Sequence, residues 1–279
     1  MPYRRYTPEP PLAAFVDCLW YSEGFEGSHK QERLLPNGES GIVFDLREGP
    51  VRIYEAESPG NFNNFEPAVF CGARTDCFII DTCAQERVIG IQFRPGGALP
   101  FLNVPACEVA HATYALDDVW PGDAALLREE MLCAGRAGNV NAMFAILERA
   151  LRERMEKHWT LHPAVSFAAN KLAQPSANTR VSDVADQVGF SSRHFTDLFR
   201  AQIGLTPKAF HRVRRFQQVL QKLRQPKPAN RYENWATLAL DCGYYDQAHF
   251  IHDFSAFAGM TPGEYVTIAT QHLNHVPLR

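Results

Sequence analysis

The chain has 279 residues, 46 % of them hydrophobic, and a net charge of −3. That is enough for two domains with real cores, and it sets aside a disordered or collagen-like chain. No run of 18 apolar residues occurs and residues 1–8 lack the apolar segment of a signal peptide, so we expect neither a membrane span nor export, and a cytoplasmic location.

In chain order, residues 11–20 read as a short helix leading into a strand, and Leu35-Pro36-Asn37-Gly38 as a turn. Short β-rich runs follow at 41–46, 51–54, 69–71, 78–81 and 88–93, with Asn61–Phe65 read as a loop between them. Their lengths and turn residues predict a small barrel or sandwich. Trp20, Tyr21, Phe44, Phe78 and Phe93 either line a cavity in it or form plain core. Arg94, in Arg94-Pro-Gly-Gly97, either meets an anionic effector or decorates a turn. From there the pattern turns helical, at 98–102, 106–110, near 121–133 and near 139–158.

The seven cysteines form no C-x-x-C pair, which suits free thiols in a reducing compartment. Cys71, Cys77 and Cys83 stand six apart, but no histidine lies near them, so incidental thiols are preferred to a metal or redox site. Only His29, His111 and His158 occur before residue 160, with no H-x-H, so no metal, cofactor or catalytic site is expected, and no enzyme. No nucleophile elbow, dinucleotide-binding loop or phosphate-binding loop appears either.

The second half carries one pattern twice. Ala185 and Gly189 recur 54 positions later as Ala239 and Gly243; Phe195, Phe199, Gly204 and Thr206-Pro207 recur 55 later, as Phe250, Phe254, Gly259 and Thr261-Pro262. Val181, Val184 and Val188 share one helical face, and Gly189 sits where the chain must leave the helix in a left-handed turn. Ser191 or Ser192 caps the next helix, whose Phe195, Leu198 and Phe199 face inward while Arg193, His194, Thr196, Asp197 and Arg200 face out. Thr206 caps a third helix, with Pro207 at its first position. Each unit reads as a helix-turn-helix, at about 181–207 and 235–262, and a polar, basic-tipped second helix is what enters a DNA major groove.

Charge is divided accordingly. Residues 1–159 carry −8 and residues 160–279 carry +5. Residues 198–232 hold nine basic side chains and no acidic one: Arg200, Lys208, Arg212, Arg214, Arg215, Lys222, Arg224, Lys227 and Arg231. Phe210, Val213, Phe216 or Gln217, Leu220 and Leu223 give that stretch one buried helical stripe. We expect a helix that holds two readers roughly 34 Å apart, one duplex turn, and neutralises phosphates without reading sequence.

The segment 160–270 resembles the paired helix-turn-helix domain of the AraC/XylS family of bacterial transcription regulators. The residues that carry the resemblance are Ala239, Gly243, Tyr244, Asp246, Phe250, Phe254, Gly259, Thr261, Pro262 and Tyr265. The resemblance implies a unit whose two recognition helices read double-stranded DNA in successive major grooves, and gene activation through RNA polymerase. It places Ser192, Arg193, His194, Thr196, Asp197 and Arg200 in the first reading helix and Asp246, Gln247, Ala248, His249 and His252 in the second. Lys208, Arg212 and Arg215 are expected on the backbone between them. Arg193 suits guanine, Asp197 suits cytosine N4, and Arg200 is expected to meet phosphate. His252 and Ser255 stand where relatives often carry Arg and Lys, with Asp246 and Asp253 nearby, so the second reader is expected either to bind weakly or to depend on DNA bending and on the basic linker helix.

Residues 1–159 resemble, more loosely, the small β-rich and often cupin-like N-terminal domains of such regulators, which bind a small effector, form homodimers, or both. The expected architecture is therefore α+β: a β-rich domain with helices over 1–159, then an all-α paired helix-turn-helix domain over 160–279, joined near Lys157–Leu161. The expected function is a DNA-binding activator whose first domain senses a small molecule. The alternative is a regulator whose first domain only makes protein contacts.

Overall fold

In a computed structural model the described residues are 3–24, 29–56, 58–155, 160–174, 179–224, 235–270 and 272–278. The expected junction near 157, most of the 175–180 connector, Lys227 and Arg231 lie outside them.

The first half is built of antiparallel strands in two sheets. One has the order β1 (Tyr3–Tyr6), β2 (Val16–Glu23), β9 (Arg87–Phe93), β4 (Gly41–Asp45), β7 (Ala68–Cys71), β10 (Thr113–Ala115). The other has the order β11 (His275–Leu278), β3 (Gln31–Leu34), β8 (Phe78–Asp81), β5 (Val51–Glu55), β6 (Ser58–Phe65). Neither sheet closes on itself among the described residues. The stretch expected as a loop, Asn61–Phe65, is instead paired strand: Asn63 faces Ile53 and Phe65 faces Val51. Hydrogen bonding along β5 overrides the weak strand preference of asparagine.

Alternation decides which side of the larger sheet is core. Ile42 and Phe44 of β4, Ile89, Ile91 and Phe93 of β9 and Phe70 of β7 join one cluster, completed by two helices. These are α2 (Ala124–Arg136) and α3 (Val140–Arg154), which contribute Leu127, Met131, Met143, Phe144, Leu147 and Leu151. A four-residue helix, α1 (Leu116–Val119), precedes them. The stretches expected as helices at 98–102 and 106–110 are single 3-10 turns, Leu99–Phe101 and Ala106–Glu108. Tyr21, Phe44 and Phe93 are core residues here rather than the walls of a cavity. Arg94 serves the fold: its Nε donates to the Ala13 carbonyl at 2.9 Å and its guanidinium lies 3.7 Å from Asp17. Burial pushes the Cys71 and Cys77 thiols up, away from the thiolate that redox or metal chemistry needs.

The second half is helical: α4 (Pro163–Ala173), α5 (Val181–Gln187), α6 (Ser192–Ile203), α7 (Pro207–Arg224), α8 (Trp235–Asp241), α9 (Gln247–Ala258) and α10 (Pro262–Ile268). It has two cores. Val165, Leu172, Val184, Phe195, Phe199 and Phe210 form one; Phe216, Leu220, Phe250, Phe254, Phe257 and Tyr265 form the other. Helix α7 belongs to both, which is how its buried stripe ties the two repeats together.

Both cores reach into the first half, through Ala73 for one and Leu35, Cys77 and the C-terminal Val276 for the other. Strand β11 follows the last helix and returns to β3, pairing His275 with Leu34 and Leu278 with Gln31. At that seam Glu32 is 2 % exposed and accepts from His275 Nδ1 at 2.9 Å, His29 Nε2 at 2.7 Å and Gln85 Nε2 at 2.6 Å. Burial alone would raise the Glu32 carboxyl. The hydrogen bonds from His275 and Gln85, the His275 charge and the bond from His29 outweigh it and hold the pKa at about 2, below the ordinary 4.5.

A depressed carboxyl stabilises above its unfolded pKa and loses that stabilisation as pH falls through the folded one. Acidifying from about pH 5 to about pH 2 should therefore remove about 3 kcal/mol through this group. Urea unfolding of wild type and Glu32→Gln across that range checks it: the variant should show a flatter pH dependence, and parallel curves would refute the assignment.

Candidate DNA-reading surface

Each reading helix is set by the same local devices. In the first repeat Gly189 takes φ +72°, a left-handed turn only glycine adopts without strain, and the Ser191 hydroxyl caps α6 by accepting from the His194 amide at 3.3 Å. Phe195, Phe199 and Ile203 are buried, and Gly204 ends the helix at φ +94°. In the second repeat Gly243 takes φ +76°, the Asp246 carboxylate caps α9 by accepting from the His249 amide at 2.7 Å, and Gly259 ends it at φ +66°. Thr261 and Glu264 then form a reciprocal cap on α10.

The outward face of α6 matches the expected spacing. Ser192, Arg193, His194, Asp197 and Arg200 are exposed and Thr196 is half-buried. The Arg193 and Asp197 side chains, 94 % and 72 % exposed, stand 4.0 Å apart, a contact worth little in water and easily exchanged for base edges. Thr196 donates its hydroxyl to the Ser192 carbonyl at 2.7 Å, leaving its methyl for apolar contact. His194 packs edge-on against Phe190, with ring centroids 4.8 Å apart.

On α9, Gln247, Ala248 and His252 are exposed, and His249 is half-buried with its ring edge-on to Tyr244 at 5.3 Å. Asp246, expected among the readers, is committed to its cap. The residue that spacing did not single out is Asp253. It is 2 % exposed and turned inward beside Phe250 and Phe254. Arg212 binds it at 2.7 and 3.3 Å, and Arg215 at 3.4 Å. Arg215 also donates to the Gly243 carbonyl at 3.0 Å and lies over the Tyr244 ring at 4.6 Å, so its guanidinium holds the turn of the second repeat. Tyr245, on the same turn, is 86 % exposed and projects beside the start of α9, where it adds an aromatic face to the surface.

The basic run is thus less free than its charge suggests. Arg212 and Arg215 serve Asp253; Arg214 donates to Glu39 of the first half at 2.7 Å; Lys222 donates to the Asp241 carbonyl at 2.9 Å. Arg200 and Lys208 remain exposed.

The C-terminal ends of both reading helices sit on the first half. At the end of α6, Gly204 lies against Ala73, Ala106 and Ala110, within 3.2–3.5 Å of where a Cβ would stand. At the end of α9, Arg33 Nη1 donates to the carbonyls of Ala258 and Gly259 at 3.0 and 3.2 Å, a cation placed on the negative end of the helix dipole. Between them the loop at 35–39 presses on α7, where Gln217 donates to the Pro36 carbonyl at 2.7 Å and Arg214 reaches Glu39.

Two capped, outward-facing helices on one linker helix define a paired helix-turn-helix architecture. The family profile of a helix-turn-helix domain matches residues 169–267, and that of a domain of unknown function (DUF6597) matches residues 4–114. The arabinose operon regulatory protein of Escherichia coli (strain K12) is 25 % identical over 203 residues, 68 % of this chain and 67 % of that protein. An AraC-type regulator structure from Chromobacterium violaceum aligns with 39 % of this chain and 94 % of its own, at 23 % identity and a TM-score of 0.34. ToxT from Vibrio cholerae O395 aligns with 91 % of this chain and 97 % of its own, at 9 % identity and a TM-score of 0.43. The chain is similar to regulators of the AraC/XylS family, and its helix-turn-helix domain makes it a sequence-specific DNA-binding regulator. No helix among the described residues is long and apolar enough to cross a membrane.

Proposed function

We propose that residues 160–279 read a two-part operator, with α6 and α9 entering successive major grooves, and that residues 1–159 set the readers' geometry in response to a small molecule. In this reading Arg193, Thr196 and Asp197, and then Gln247 and Ala248, face bases, while Arg200, Lys208, Arg212 and His252 face phosphates. The bound protein then activates transcription by touching RNA polymerase.

The observation that carries the sensing half is that the first domain holds the C-terminal ends of both reading helices. Whatever shifts that domain shifts both readers. A cleft of about 660 Å³ lies at the same seam, lined by His29, Lys30, Gln31, Thr267, Ile268, Ala269, Pro277 and Leu278, a mixture of polar and apolar groups that suits a small effector.

Selection of bound sites from random duplexes by the full chain tests the reading. Two conserved blocks about one turn apart are expected; a single block would remove α9 as a base reader. Arg193→Ala should cost about 1–3 kcal/mol on the selected site and relax preference at one base position. Equal losses on selected and random DNA would show instead that Arg193 meets only the backbone.

A further inference from the structure

Between the first half of α7 and α9 lies a groove of about 530 Å³, closed at one end by Thr179 ahead of the first repeat. Lys208, His211, Arg212 and Arg215 line it from α7, and His249, His252 and Asp253 from α9. These are all the charged and titratable side chains that line it among the described residues, apart from the Tyr244 phenol beneath Arg215. The single anion, Asp253, is buried and already bound by two arginines. The groove is therefore electropositive with every histidine neutral, and each imidazole that takes a proton adds one more charge.

The groove is also shaped for an anion. Lys208 is exposed and has no partner among the described residues, and the Arg212 side chain, though bound to Asp253, keeps 36 % exposure. His252 is 81 % exposed, and its Nδ1 lies 3.9 Å from Asp253. His249 Nε2 lies 3.7 Å from the same carboxylate. His211 turns Nδ1 toward the Leu172 carbonyl at 3.4 Å, which fixes its proton there and leaves Nε2 an acceptor until the ring is protonated.

We propose that this groove seats one phosphate of the DNA backbone between the two readers, bound by Lys208, Arg212, His249 and His252, so that DNA affinity rises with proton uptake by the histidines. The seat rests on the DNA-reading surface described above and adds to it a ligand and a form of regulation. A phosphodiester is anionic throughout the range in which histidine titrates, so a bound phosphate favours the imidazolium and binding takes up protons. Affinity should then climb as pH falls. The shared chemistry, a phosphate monoanion or dianion, also fits a free phosphate ligand, and the test separates the two.

The full chain is titrated with the selected duplex and with a random duplex at about pH 8 and about pH 5.5, each at two salt concentrations. Wild type should bind both duplexes about tenfold more tightly at the lower pH. The pair Lys208→Ala and His252→Ala should lose most of that gain on both duplexes and lower the salt slope by about 1 to 2. His252→Ala alone separates the roles: loss confined to the selected duplex makes it a base reader and overturns its place in the seat. Site selection that persists with unchanged pH and salt dependence in the pair overturns the seat and leaves the readers standing. Failure of wild type to select any site overturns the readers as well. Inorganic phosphate, at ionic strength matched with chloride, should weaken duplex binding. Thermal stabilisation by phosphate with no effect on duplex binding would assign the groove to a free phosphate and overturn the DNA assignment.

Discussion

Replacing Phe254 with alanine is expected to cost about 4 kcal/mol of stability. The ring is fully buried, with centroids 5.2 Å from Phe216 of α7, 5.9 Å from Phe250 of α9 and 5.6 Å from Tyr265 of α10. It is the point at which three helices meet, so no single neighbour can close the space it leaves. The first repeat has its own core around Phe195, Phe199 and Phe210 and does not use this ring. Urea unfolding should show the loss, and footprinting should show protection surviving over the block read by α6 while fading over the block read by α9. A cost under about 1 kcal/mol, or equal fading over both blocks, would contradict the division into two cores.

Asp253→Ala should cost about 3 kcal/mol, because it leaves the largely buried Arg215 without a counter-ion. Arg212 is more exposed and can turn to water, which keeps the loss below that of a fully enclosed triad. The same physics predicts recovery. Asp253→Leu combined with Arg215→Met removes both charges, leaves apolar groups of similar volume, and should regain most of the stability lost by Asp253→Ala. Thermal unfolding of the single and combined variants measures it; no recovery would mean that the Arg215 bond to the Gly243 carbonyl matters more than the ion pair.

The repeat was legible because glycine, phenylalanine and threonine-proline are forced to recur by backbone and core geometry. Gly189 and Gly243 must take positive φ, and Phe195, Phe199, Phe250 and Phe254 must turn inward. The exposed face of α6 followed from the same spacing. Asp253 was not read as buried, although it lies three residues after Phe250 on the same face, because its partners Arg212 and Arg215 are some 40 positions away and only packing brings them together. Arg214 was counted with the phosphate-neutralising run for the same reason, its partner Glu39 being in the other half of the chain. Strands β1, β3, β6, β10 and β11 were missed because they are short or polar; β3 reads Gln-Glu-Arg-Leu, and its Glu32 is buried only through partners from beyond its own strand.

The return of β11 to β3 also bears on how the protein is made. Residues 31–34 leave the ribosome early, yet the strand that pairs with them along that edge, 275–278, is translated some 240 residues later. At bacterial elongation rates the edge waits roughly 10 to 50 s, its amides and carbonyls open to any other nascent strand. The sheet of the first half is therefore completed only after the helical half has been made. Crowded polysomes should aggregate this protein more readily than a regulator whose domains finish one after the other.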